Sequence, residues 1–200
     1  MIGDKYTKFN AAGGGGASVG ATLMKTGQTT SYRTGDDGDL EAGRATSFLV
    51  LASNNPFGNT NRFTDELGGT TYTKNIVIDW STYNGTNVLG YYRTVSGTNI
   101  TWNAAIDAAL ALSITGFTSG WRLPNKGEFE NIFDYEQAYG FSYAPFSFPN
   151  LTVWTSTTYK ASTTAAYSAT GSWINLLGKS GADARWIACR TFTVTGTTLT

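Results

Sequence analysis

A short helix is predicted to begin within the sequence Trp121-Arg122-Leu123-Pro124-Asn125-Lys126-Gly127-Glu128-Phe129. Asn125 is a residue type favoured at the N-cap, because its side-chain oxygen accepts a hydrogen bond from a backbone N–H of the first turn. Glu128 lies three positions later, where its carboxylate can accept a hydrogen bond from the Asn125 N–H and complete a capping box. The sequence therefore predicts that the helix starts directly after Asn125.

The residues before this helix are predicted to form a packing corner. Pro124 cannot donate a backbone hydrogen bond, and it favours extended backbone geometry at Leu123. Trp121 and Leu123 lie two positions apart, so in an extended segment both side chains lie on one face and Arg122 lies on the other. We expect Arg122 to bind a nearby carboxylate or carbonyl oxygen. We interpret the motif as a structural feature of the fold in preference to a binding site.

The composition suits one domain that is rich in strands and turns. The chain has 200 residues, of which 40% are hydrophobic, enough to bury a core. Aromatic residues make up 14% and there are 24 glycines, which favours strands and turns over a helical bundle. The 14 basic and 14 acidic residues leave no net charge, which argues against a nucleic-acid-binding surface.

The residue inventory argues against catalysis and against a cofactor. The sequence contains no histidine, which removes the commonest general base and metal ligand. Cys189 is the single cysteine, so the chain forms neither an internal disulfide nor a CxxC metal site. Cys189 follows the apolar residues Trp186, Ile187 and Ala188, and we expect an inert, buried thiol. We therefore expect no enzyme activity, and either assembly in a reducing compartment or independence from oxidation.

Residues 1–24 are predicted to form a flexible or extended arm ahead of a domain over residues 25–200. The stretch Ala11-Ala12-Gly13-Gly14-Gly15-Gly16-Ala17-Ser18 is too flexible to hold secondary structure alone. The arm is either a linker or a segment that orders against a neighbouring chain, because its apolar side chains would otherwise be exposed. No signal peptide and no apolar run of membrane-spanning length is visible, so we expect synthesis in the cytoplasm without membrane insertion.

Residue patterns predict two helices and several strands, an α+β arrangement. Thr101 is a plausible N-cap for the first helix, in which apolar residues recur at helical spacing after Trp102, and Gly116 is expected to end it. The second helix follows Asn125. Strands are predicted over residues 45–52, 72–80, 88–95, 153–159, 165–171 and 184–194.

The acidic block Gly35-Asp36-Asp37-Gly38-Asp39 has two interpretations. Asp-x-Asp-Gly patterns recur in calcium-binding loops, but the twelve-residue spacing with a closing glutamate is missing. Asp and Gly also form turns without a metal, through side-chain bonds to the backbone and tolerance of positive φ. We favour a turn, and calcium binding by Asp36, Asp37 and Asp39 stays open.

Eight short motifs follow one another in a definite order: Thr26–Thr29, Gly35–Gly38, Phe63–Asp65, Ile76–Trp80, Thr101–Ala105, Trp121–Glu128, Val153–Thr157 and Ile187–Arg190. This order, which covers about residues 25 to 194, resembles that of the Lcl-type C-terminal domain family. That family is found in collagen-like bacterial adhesins, secreted proteins and phage virion proteins. The Trp-Arg-Leu-Pro-Asn block is the most specific part of the resemblance, together with the downstream Trp-Thr-Ser and the upstream Thr-Trp.

The resemblance implies a C-type-lectin-like fold, with two helices beside a mixed, mostly antiparallel sheet and long loops that present a variable surface. Members are regarded as binding modules, and some phage examples of this broader fold are hypervariable receptor binders. The chain departs from the family in lacking a cysteine partner for Cys189, which points away from a secreted bacterial protein. It also reads Asn75–Trp80 where the family usually reads Thr-Gly-Leu-Met-Trp. The calcium motifs of true lectins are not reproduced.

The preferred function is a phage virion surface protein, as a fibre, tip or decoration subunit that binds a host glycan or protein. The arm over residues 1–24 would bind other virion proteins, and a trimer is expected by analogy with fibres. The alternatives are a purely structural capsid or tail subunit, a bacterial adhesin-type module, and an enzyme of the formylglycine-generating or sulfoxide-synthase type. The enzyme is the least favoured, because that chemistry needs paired cysteines or a histidine-rich metal site.

A ligand surface is expected on the late loops, over residues 141–150 and 159–179, where aromatic and amide side chains suit sugars and protein epitopes. The candidate ligand-binding residues are Tyr143, Tyr159, Tyr167, Trp173 and Asn175. The alternative is that about half of them fill the core. The residues expected to be structural are Trp80, Trp102, Trp121, Arg122, Leu123, Pro124, Asn125, Glu128, Trp154 and Trp186.

Overall fold

The computed structural model describes residues 30–31, 33–34, 49–51, 53–72, 74–134, 142–143, 145–147, 151–171 and 173–200. The predicted arm over residues 1–24 and the three aspartates of the acidic block lie outside these residues. Within them the protein is α+β, with antiparallel sheets and two helices.

The elements in chain order are β1 (Phe63–Asp65), β2 (Ile76–Asp79), a 3-10 turn (Trp80–Thr82), β3 (Asn87–Tyr92), α1 (Trp102–Leu110), α2 (Lys126–Asn131), β4 (Ser142–Tyr143), β5 (Phe146–Ser147), β6 (Thr152–Thr158), β7 (Ala165–Thr170), β8 (Trp173–Gly178), β9 (Ala188–Thr195) and β10 (Thr198–Leu199). They form a five-stranded sheet in the order β1-β2-β3-β9-β10, a three-stranded sheet β6-β7-β8 and the hairpin β4-β5. The pairing of β3 with β9 is antiparallel and brings the last part of the chain beside its middle.

The five-stranded sheet lies at the centre of the core. Strand β2 is buried along its whole length, as expected for a strand that is covered on both faces. Val77 belongs to a first core cluster with Phe129 of α2, whereas Ile78 belongs to a second core cluster with Ala105 of α1. Because neighbouring residues of a strand point to opposite faces, the two helices cover opposite faces of this sheet.

The packing corner before α2 forms as predicted. Trp121 and Leu123 are buried, while the half-buried Arg122 lies between them and forms a two-way backbone bridge with Cys189 of β9. The capping box is also confirmed. The Glu128 N–H donates to Asn125 Oδ1 at 2.9 Å, and the Asn125 N–H donates to Glu128 Oε2 at 2.7 Å.

The end of α1 differs from the prediction. Thr101 caps the helix as expected, but the helix ends at Leu110 and Gly116 does not terminate it. Gly116 instead has φ +86° in a tight hairpin in which Ile114 and Phe117 exchange both backbone hydrogen bonds. A hairpin turn and a helix C-terminus both require positive φ, so the glycine signal did not distinguish them.

Several predicted strands are shorter than expected, among them the strand predicted over residues 72–80, of which Ile76–Asp79 forms β2. The strand predicted over residues 184–194 begins at Ala188, because Ala184 bridges Ile100 while Arg185 bridges Val153. Because Ala184 and Arg185 pair with different segments, they do not extend the hydrogen-bonded ladder of β9. In the strand predicted over residues 45–52, Val50 forms a single bridge to Asn61, and residues 45–48 lie outside the described part of the chain.

Candidate ligand-binding surface

A bidentate ion pair holds the start of α2 against the five-stranded sheet. Arg122 donates from Nη1 to Glu128 Oε2 at 2.8 Å and from Nη2 to Glu128 Oε1 at 2.6 Å. The Tyr91 hydroxyl donates to the Glu128 carbonyl oxygen at 3.0 Å. Burial raises the pKa of Glu128, but the hydrogen bonds from Arg122 and Asn125 outweigh it, and the net pKa is below its ordinary value. Glu128 is therefore ionised at neutral pH, and its carboxylate connects Arg122 to the N-terminus of α2.

Replacing Glu128 by glutamine is expected to reduce the free energy of unfolding by about 1 kcal/mol at pH 7, because a half-exposed ion pair and a cap are weakened. The folded-state pKa of Glu128 is lowered, so this stabilisation is present above the unfolded-state value of 4.5 and is lost as the pH falls through the folded-state pKa. Urea unfolding of both proteins from pH 7 to pH 3 measures the difference. Glu130→Gln is the matched control, and a Glu128→Gln effect that persists undiminished at the lowest pH would contradict this assignment.

Cys189 packs against the same cluster as a buried thiol. Its Sγ lies 3.8 Å from Glu128 Oε2, and burial raises the pKa of the thiol far above its ordinary value. The thiol is therefore protonated at neutral pH and is a poor nucleophile. The prediction of a buried cysteine is confirmed.

The packing corner also connects α2 to strand β6. The Ser156 N–H donates to the Pro124 carbonyl oxygen at 2.8 Å, and the Lys126 N–H donates to Thr157 Oγ1 at 3.0 Å. These bonds place the first turn of α2 over the three-stranded sheet. The Lys126 side chain consequently reaches the ring of Tyr167, with Nζ 5.8 Å from the ring centre.

Two tyrosines, a leucine and an ion pair form a surface at this position. The rings of Tyr159 and Tyr167 meet edge to face, with centres 5.8 Å apart and planes at 88°. Leu176 of β8 is paired with Tyr167, so both side chains lie on one face of the sheet, and Leu176 is 40% exposed. Lys126 Nζ lies 2.5 Å from Glu130 Oε1 at the rim. We call these five residues the tyrosine surface.

Trp173 and Asn175, two further predicted ligand residues, lie on the opposite face of the same sheet. Along β8 the side chains alternate, and Leu176 shares its face with Tyr167, so Trp173 and Asn175 point the other way. Trp173 is 63% exposed. Tyr143 lies in β4, and its side chain is outside the part of the chain that the structure describes. The structure therefore brings together Tyr159 and Tyr167 and separates them from Trp173 and Asn175.

Asn175 has a local role at the edge of the three-stranded sheet. Its Oδ1 accepts a hydrogen bond from the Leu176 backbone N–H at 2.8 Å. Strand β8 pairs with β7 on one side and is the last strand of this sheet among the described residues. A side chain that occupies a backbone donor of an edge strand reduces the tendency of that edge to pair with another chain.

The residues expected to be structural occupy the core and its margin. Trp80, Trp121 and Trp154 are buried, and Trp102 and Trp186 are half-buried and pack against the second core cluster. Four of the five indole N–H groups donate a hydrogen bond at 2.8 Å, to Thr64 Oγ1 from Trp80 and to backbone carbonyls from Trp102, Trp121 and Trp154. Buried tryptophans with a satisfied N–H are well suited to fix a core.

Several features of the site were missed from the sequence. Lys126, Glu130 and Leu176 belong to the tyrosine surface only because α2 lies on the three-stranded sheet and because β8 has this register. No short-range pattern contains that information. In the core, a buried ion pair between Arg62 and Asp79 was also missed from the sequence. The available signal was Asp79 itself, a charged residue that directly follows the apolar run Ile76–Ile78.

Among the described residues, no group of three or more His, Cys, Asp or Glu side chains could hold a metal ion. None of the helices there is long and apolar enough to cross a membrane. No protein-family model, no curated protein and no solved structure matches the chain.

Proposed function

We propose that the protein is a non-enzymatic binding module and that the tyrosine surface binds a glycan on a host surface. The observation that carries the proposal is the edge-to-face pair of Tyr159 and Tyr167, half-buried and flanked by an exposed leucine and a charged rim. Half-buried tyrosines expose rigid, amphipathic rings at little cost in conformational entropy. Such rings suit the apolar C–H faces of a sugar.

The rim of the tyrosine surface supplies the polar half of such a site. Lys126 Nζ has hydrogen-bond donors and the Glu130 carboxylate has acceptors, and sugar hydroxyls can use both. The Lys126 and Glu130 side chains are 37% and 40% exposed, so their hydrogen-bonding groups reach solvent. A few polar groups around an aromatic surface are typical of sites that orient a ligand.

We further propose a C-type-lectin-like fold of the Lcl C-terminal type and a place on the surface of a phage virion, as a fibre, tip or decoration subunit. The order of motifs from Thr26–Thr29 to Ile187–Arg190 supports this. Two helices against antiparallel sheets are compatible with that fold. Residues 1–24 are proposed to bind other virion proteins, and a trimer is the expected assembly.

A structural subunit without a ligand is the second candidate, and Trp173 favours it. Its side chain is 63% exposed on the edge strand β8, and an exposed tryptophan at a sheet edge is suited to contact a neighbouring subunit. Under this alternative, the Trp173 face is buried in an assembly and the tyrosine surface binds nothing.

A glycan array probed with the full chain and two variants distinguishes these functions. Tyr167→Ala is expected to weaken binding to the recognised glycan at least about tenfold, the equivalent of about 1.4 kcal/mol, because it removes half of the aromatic pair. Trp173→Ala, on the opposite face, is the matched control and is expected to leave binding unchanged. Thermal unfolding of each variant checks the fold. Loss of binding in Trp173→Ala alone would assign the site to the other face, and no bound glycan with the wild-type chain would favour the structural subunit.

A further inference from the structure

The Arg190 guanidinium packs against two phenylalanine rings on the face of the five-stranded sheet that carries the second core cluster. Arg190 is paired with Gly90 of β3, and the space that a Gly90 side chain would occupy is filled by Phe192 and Ile78. The guanidinium carbon is 4.8 Å from the ring centre of Phe192 and 5.2 Å from that of Phe117. The two rings meet edge to face with centres 5.0 Å apart, so the guanidinium is held by cation–π contacts.

The Arg190 guanidinium forms no hydrogen bond and no ion pair with any described residue, although it carries five N–H donors. Its Nη1 is buried without a hydrogen-bond partner. Arg62 and Arg122 differ, because each binds both oxygens of a carboxylate. A buried donor without a partner costs about 1–3 kcal/mol, so this arginine is positioned at a cost to stability.

Gly120 leaves one edge of the guanidinium without a covering side chain. A Cβ atom at this position would lie 3.1 Å from Arg190 Nε, closer than most such contacts. Gly120 has φ +82°, a conformation that disfavours any other residue, and it is exposed. The half-buried Arg190 is therefore reached from the side of the turn that precedes Trp121.

We propose that Arg190 is a binding site for the carboxylate group of a small acidic ligand, such as a uronic acid. A guanidinium fork matches the two oxygens of a carboxylate, and the Nε and Nη2 donors of Arg190, which are not buried, can form two parallel N–H···O bonds. The two phenylalanine rings cover part of the guanidinium and exclude water there, which strengthens a charge-assisted hydrogen bond. This site does not depend on the tyrosine surface, and either can be present without the other.

The test follows the Arg190 Nε–Hε correlation in NMR spectra of the ¹⁵N-labelled full chain, assigned in the wild-type protein. Sodium glucuronate is the acidic sugar, sodium acetate carries the carboxylate alone, and glucose is the neutral control. Glucuronate is expected to shift the Arg190 signal saturably and to leave the signals of the paired Arg62 and Arg122 in place. An equal affinity for acetate would show that the site recognises the carboxylate without the sugar ring.

Arg190→Lys keeps the positive charge but removes the planar fork, so it is expected to weaken glucuronate binding about tenfold. If the variant folds, glucuronate binding is followed by the shift of the Gly120 backbone amide signal. If it does not fold, the titration of the wild-type protein alone tests the proposal. The proposal is overturned if neither anion shifts the Arg190 signal saturably, or if glucose shifts it equally. Arg190 would then be a stacked structural cation only.

Discussion

Replacing Asp79 by alanine is expected to lower the free energy of unfolding by about 3–5 kcal/mol, because it leaves the Arg62 charge buried without its carboxylate. Arg62 donates from Nε to Asp79 Oδ1 at 2.9 Å and from Nη2 to Asp79 Oδ2 at 2.8 Å. Both side chains are fully buried. Asp79 also accepts hydrogen bonds from the Ser81 N–H and from Asn131 Nδ2, so its removal frees donors in three segments.

Urea unfolding of Asp79→Ala, Arg62→Met and the double variant Arg62→Met/Asp79→Leu measures this effect. The double variant is expected to lose less stability than Asp79→Ala, since no charge is left without a partner in the core. Lys126→Ala, which breaks the exposed pair with Glu130, is the control and is expected to change stability by less than about 0.5 kcal/mol. Similar losses for Asp79→Ala and Lys126→Ala would contradict the account of the buried pair.

Replacing Trp154 by alanine is expected to cost about 3–5 kcal/mol, because it opens a cavity where α1 and both larger sheets meet. Trp154 is fully buried in the second core cluster, together with Ala105 of α1 and Phe192 of β9. Its indole N–H donates to the Ile100 carbonyl oxygen at 2.8 Å, and that carbonyl would lose its partner in the variant.

Trp173→Ala is the matched control for this cavity, since it removes the same side chain from an exposed position. It is expected to change the free energy of unfolding by less than about 0.5 kcal/mol. Trp154→Phe, which keeps part of the volume but loses the N–H, is expected to lie between the two. A Trp154→Ala protein that unfolds at the same urea concentration as Trp173→Ala would show that Trp154 does not hold the three elements together.

The N-termini of both helices, capped by Thr101 and Asn125, could be predicted from the sequence. A helix cap depends on residues within four positions of one another. The burial of Trp121 and Leu123 on either side of Arg122 followed from strand alternation in the same way. The end of α1 could not be predicted, because Gly116 serves a hairpin whose backbone requirement is the same as that of a helix C-terminus.

The aromatic residues of the candidate site could be predicted from the sequence, but their arrangement on the two faces of the sheet could not. Tyr167 and Trp173 are six residues apart, and whether they share a face depends on the register across the turn between β7 and β8. The sequence identified both as aromatic surface candidates but contained no local signal for that register. The pairing of Arg62 with Asp79 and the stacking of Arg190 likewise depend on contacts between distant segments.

The most direct test of the tyrosine surface is a ¹⁹F NMR titration of the full chain labelled with 3-fluorotyrosine, using the tightest-binding glycan from the array. The chain has 11 tyrosines, and the signals of Tyr159, Tyr167 and the buried Tyr91 can be assigned from Tyr→Phe variants. The proposed function predicts saturable shifts at Tyr159 and Tyr167 with none at Tyr91. A saturable titration in which Tyr159 and Tyr167 do not move would contradict it and place the ligand elsewhere on the molecule.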